Sequence, residues 1–78
     1  MNEPNWSGVS FKLHMMDAMS FLEFIDREFP ELLPQATKKS ELVALAVEDM
    51  RRCWSLPGLI GKSFVSRVVR ELGISCEL

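Results

Sequence analysis

Residues 9–15 read Val-Ser-Phe-Lys-Leu-His-Met and alternate without a break. In an extended chain Val9, Phe11, Leu13 and Met15 fall on one side and Ser10, Lys12 and His14 on the other, as a strand with one buried face requires. A lone strand leaves backbone N–H and C=O groups that must find partners somewhere. Everything after it reads as helix. The pattern therefore predicts that the strand pairs with its copy in a second molecule, giving a homodimer. Phe11 and Leu13, with Leu42, Val43 and Val47 from a later helix, would form the shared core.

Length supports that expectation. A chain of 78 residues, 47% of them apolar, makes one domain with a core, but a domain this small is marginal alone and often shares its core with a partner. Residues 1–36 hold six acids (Glu3, Asp17, Glu23, Asp26, Glu28, Glu31) against Lys12 and Arg27. The remainder holds seven bases (Lys38, Lys39, Arg51, Arg52, Lys62, Arg67, Arg70) against five acids, so a basic half exists although the net charge is −2. That asymmetry points weakly to an anionic partner. Cys53 and Cys76 stand alone, with no signal-peptide pattern, which reads as reduced thiols and a cytoplasmic setting. No run of apolar residues approaches the length of a membrane span.

In chain order, residues 1–8 read as a flexible arm with Trp6 either covering the core or touching a partner. Residues 9–54 form a strand-helix-helix unit, and residues 55–78 a C-terminal helical extension. Asp17 starts a helix to Phe29, with Ala18, Phe21, Leu22, Ile25 and Phe29 as its stripe and Phe24 beside it. Pro30 and Pro34 end it. Thr37 caps a second helix to about Trp54, whose polar start (Thr37, Lys38, Lys39, Ser40) turns free N–H groups toward an anion. Ser55-Leu56-Pro57-Gly58 is a turn. A third helix follows at about Ser63–Leu72, ending at Gly73-Ile74.

Nothing in the chain has the spacing of an enzyme site. His14 lacks a carboxylate or hydroxyl partner, no phosphate loop occurs, and too few Cys and His are present for zinc. No enzyme, cofactor or metal is expected. A two-stranded ribbon, by contrast, fits the DNA major groove, where Ser10, Lys12 and His14 would face base edges.

Phe11-Lys12-Leu13-His14-Met15-Met16 and Ala36-Thr37-Lys38-Lys39-Ser40-Glu41-Leu42 resemble the strand and second-helix start of the ribbon-helix-helix family of dimeric DNA-binding repressors, in its Arc-like and methionine-repressor-like forms. The resemblance covers about residues 8–54. It implies a mainly α fold, a dimer with one short N-terminal strand per chain and an added C-terminal helix. It also implies a sequence-specific transcriptional regulator in which Ser10, Lys12 and His14 read bases and Thr37, Lys38, Lys39 and Ser40 bind phosphate. Residues 60–69 resemble the turn and recognition helix of a helix-turn-helix, which would move the DNA contacts to Ser63, Ser66, Arg67 and Arg70. The rival of another class is a small helical protein-binding module, an antitoxin or phage-type inhibitor, that lays an apolar helix in another protein's groove without touching DNA. Residues 59–78 are open to a protein partner on either reading.

Overall fold

The computed structural model describes residues 3–74 and is mainly helical, with no β-strand among them. Helix α1 spans Trp6–Met15, α2 Ala18–Glu28, α3 Lys39–Ser55 and α4 Ile60–Glu71, and a 3₁₀ segment, Pro30–Gln35, joins α2 to α3.

The expected strand is the main correction: Val9–Met15 lies inside α1. Its physical reason is in the numbers of the pattern itself. A period-two run also sets residues four apart, so Val9/Leu13 and Phe11/Met15 are each one helical turn apart, on opposite sides of a helix. Trp6, Val9, Leu13 and Met16 then follow at steps of three, four and three, and the core takes that side: Val9 and Leu13 are fully buried, Trp6 and Met16 partly so. Asn5 caps the start, its side-chain oxygen accepting from the Gly8 N–H at 3.1 Å. A helix satisfies its backbone within itself. The expected homodimer rests on an unpaired strand and loses that ground. Trp6, Ser7 and Gly8, placed in a flexible arm by sequence, form the first turn of the same helix.

Helix α2 begins as expected at an Asp17 cap, whose carboxylate accepts from the Ser20 N–H at 3.0 Å and is held below its ordinary pKa by that bond. Phe21, Phe24 and Ile25 enter the core, whereas Leu22 lies at its edge, half exposed. Phe29 meets Phe24 and Phe64 edge-on, with ring centres 5.9 and 5.7 Å apart, and so binds α2 to α4. Leu32 of the 3₁₀ segment is buried in the same core.

In α3 the buried stripe is Leu42, Val43, Ala46, Met50 and Trp54. The capping residue is Lys38 rather than Thr37, and it makes no side-chain cap bond. Helix α4 starts three residues before its expected Ser63, directly after the Pro57-Gly58 turn, where Gly58 takes φ +87°. Val65, Val68, Val69 and Leu72 complete the same core, so the C-terminal helix belongs to the main body of the fold. It ends in a Schellman turn: Gly73 at φ +79°, its N–H on Arg70 O and the Ile74 N–H on Val69 O. Gly61 packs α4 on α3 so closely that a Cβ there would collide with the Cys53 carbonyl oxygen.

Two lysines close helix ends. Lys39 donates to the carbonyl oxygens of His14, at 2.9 Å, and Met16, and stands 5.4 Å from the Phe21 ring centre. Lys62 donates to Trp54 O at 2.9 Å and Leu56 O at 3.3 Å. Each neutralises carbonyls that the end of a helix leaves without partners.

Candidate functional site

Helix α1 carries apolar side chains on two opposite sides. Val9 and Leu13 are wholly buried, while Phe11 and Met15 remain 65% and 67% exposed. At 100° per residue the exposed pair points away from the core, forming a ridge one turn long. Its ionisable neighbours on the helix are Lys12 and His14; α1 contains no acid.

Beside the ridge, α1 and α3 enclose an open groove of about 440 Å³. Ser7, Ser10, Phe11 and His14 line it from α1, one or two turns apart on the same flank, with Trp6 at the end. Val47 and Arg51, four apart, line it from α3. The Arg51 guanidinium lies 5.9 Å from the Trp6 ring centre, within cation–π range, and has no carboxylate partner among the described residues. Trp6 donates its indole N–H to Glu3 at 2.6 Å on the rim.

The structure thus unites part of the expected base-reading set. Ser10 and His14 share the groove, while Lys12 sits on the other flank of α1, exposed. The expected phosphate-binding set separates: Thr37, Lys38 and Ser40 are exposed at the start of α3, but Lys39 is half-buried and committed to carbonyl oxygens. Of the expected dimer core, Leu13, Leu42 and Val43 are buried within this one chain, Val47 is partly buried, and Phe11 is outside. In the helix-turn-helix set Ser63 is exposed and Ser66 half-buried. Arg67 grips Glu28 through two bonds of 3.0 Å and Glu71 at 3.3 Å, which raises its already high pKa further; Arg70 is exposed.

Most of the positive charge is engaged within the fold. Arg27 and Arg52 pair with carboxylates as Arg67 does, and Lys39 and Lys62 bind carbonyls. Lys12, Lys38 and Arg70 lack such an engagement among the described residues, Arg51 has a ring contact but no ion pair, and these four are spread over α1, α3 with its cap, and α4. Burial pushes the Cys53 thiol above its ordinary pKa and away from the reactive thiolate. Cys76 lies outside the described residues. Among those residues no group of His, Cys, Asp and Glu has the arrangement to hold a metal, and no helix is long and apolar enough to cross a membrane.

A second apolar area lies at the α3–α4 turn, where Leu56, Leu59 and Ile60 are 52%, 69% and 89% exposed. It falls at the start of the 59–78 stretch expected to face a protein partner; residues 75–78 lie outside the described ones. Sequence reasoning missed Ser7 and Arg51 as groove residues and Met15 as an outward one. The available signal was Asn5 as a cap followed by Trp6, Val9, Leu13 and Met16 at helical steps.

Comparison with protein-family models, with curated proteins and with solved structures finds no match to this chain.

Proposed function

We propose that this chain is a small helical protein-binding module that docks on its partner through the outward ridge of α1. The observation that carries the reading is the two-sided helix. Phe11 and Met15 stand exposed on a well-anchored helix whose opposite side already supplies the core. Full burial of such a side chain is worth about 1.5–3 kcal/mol. Covering the two thirds of each that is exposed therefore offers about 2–4 kcal/mol, a useful centre for an interface.

Sequence-specific DNA binding has less to draw on. The ribbon that would enter the groove is a helix, and the cations not engaged within the fold are few and spread over three elements. DNA is accordingly the alternative that the test must separate.

The test is selection of linear peptides from a displayed library against the whole chain, with solution titration of the winners followed by NMR. Shifts centred on α1 are expected, and Phe11→Ser/Met15→Ser is expected to abolish binding. That variant is expected to keep the wild-type stability within about 0.5 kcal/mol, as surface changes do. Peptides that bind it equally well would refute the ridge. Salt-dependent binding to mixed duplex DNA, lost with Lys12→Ala, would return the chain to the regulator reading. Dimerisation abolished by the double variant would make the partner a second copy.

A further inference from the structure

From the groove beside the ridge, we infer the chemistry of that partner: it presents an Asp or Glu side chain next to its apolar anchor, and the α1–α3 groove takes this carboxylate, with Arg51 as its principal ligand. The inference rests on the docking reading above and specifies it.

The groove and the ridge are one surface, because Phe11 belongs to both. A partner seated on Phe11 and Met15 therefore covers the groove too, and whatever it places there is removed from bulk water. The groove supplies donors: the Ser7 and Ser10 hydroxyls, the His14 ring and the Arg51 guanidinium. No acid lines it. Glu3, on the rim, accepts from the Trp6 indole N–H.

Arg51 is set apart by what holds it. Arg27, Arg52 and Arg67 already have carboxylates at 3.0–3.7 Å. Arg51 instead lies over the Trp6 ring. With no carboxylate on it among the described residues, the guanidinium keeps its N–H fork for a planar, two-pronged acceptor, which a carboxylate is. Closure by a partner lowers the local dielectric between Phe11, Val47 and Trp6, strengthening a pair that would be weak in open water. A volume of about 440 Å³ accommodates a side chain with part of the segment that bears it.

The selection described above supplies the probes. Enriched peptides are expected to carry Asp or Glu at a constant offset from a large apolar residue. Changing that acid to its amide in a synthetic peptide weakens binding to the wild-type chain by about tenfold, the effect of losing one charge-assisted pair. Binding to Arg51→Met is already weakened and does not change further with the amide. Arg51→Lys keeps the charge but loses the fork, and lies between. Enriched peptides without acids, or an equal loss on the wild type and Arg51→Met, would overturn the inference while leaving the ridge intact. Binding indifferent to Phe11→Ser/Met15→Ser would overturn the docking reading and this one with it.

Discussion

Replacing Glu28 by Gln tests whether the α2–α4 contact is held by charge. The Glu28 side chain is only 6% exposed and receives two 3.0 Å bonds from Arg67, 39 residues further along, and one of 3.1 Å from Arg27. Hydrogen bonding from Arg67, then from Arg27, keeps its pKa below the ordinary 4.5 in spite of the opposing effect of burial. The amide keeps the shape and one acceptor oxygen but turns N–H groups toward guanidinium donors. Breaking a buried ion pair costs about 3–5 kcal/mol and an exposed one about 0–1. Arg67 is 44% exposed and regains water when its partner is lost, so the cost falls between, at about 1.5–2.5 kcal/mol. Urea denaturation at neutral pH, followed by circular dichroism, should show this loss with an unchanged m-value. Because the folded pKa is depressed, the carboxylate's contribution is complete above its unfolded value and disappears as pH falls through the folded one. The gap between wild type and variant should thus close in acid. A loss below about 0.5 kcal/mol, within the range of ordinary surface changes, or a gap that persists undiminished in acid, would refute the assignment.

Lys39→Met should destabilise the fold by about 1–2 kcal/mol by leaving the carbonyls of His14 and Met16 without their cation, and amide exchange should rise first in the last turn of α1. Gly61→Ala should cost about 2–3 kcal/mol in thermal unfolding, since its methyl group would meet the backbone of Cys53 and α4 would have to move off α3; a neutral result would mean that the two helices have slack at their crossing.

Several parts of the fold were legible because they are local. Asp17 before Ala18 and the Gly73-Ile74 ending act over one turn of chain, and both behave as their residue types demand. Helix α1 was hidden because seven alternating residues satisfy both periodicities, and the choice is made by a cap and a core outside the run. Leu22, expected in the stripe, is half exposed while Phe24 beside it is buried, for a similar reason: which edge of a broad apolar stripe is covered depends on Phe29 and α4, which a single-helix reading does not contain. Lys39 reads in sequence as a phosphate-facing charge. Its carbonyl partner at His14 is 25 residues earlier, a contact that exists only once α3 has folded against the end of α1. The groove was illegible as a unit, since it needs α1 to be helical and Arg51 to lie against Trp6.

A segment greasy front and back has a problem of orientation while the chain is collapsing. Rolled by half a turn, it would offer Phe11 and Met15 to the interior in place of Val9 and Leu13, a misassembly with comparable oiliness. The bulkier pair overfills the space left by the smaller. A polar residue at position 11 or 15 would make assembly more faithful, so the chain carries a hazard that serves nothing inside its own boundary.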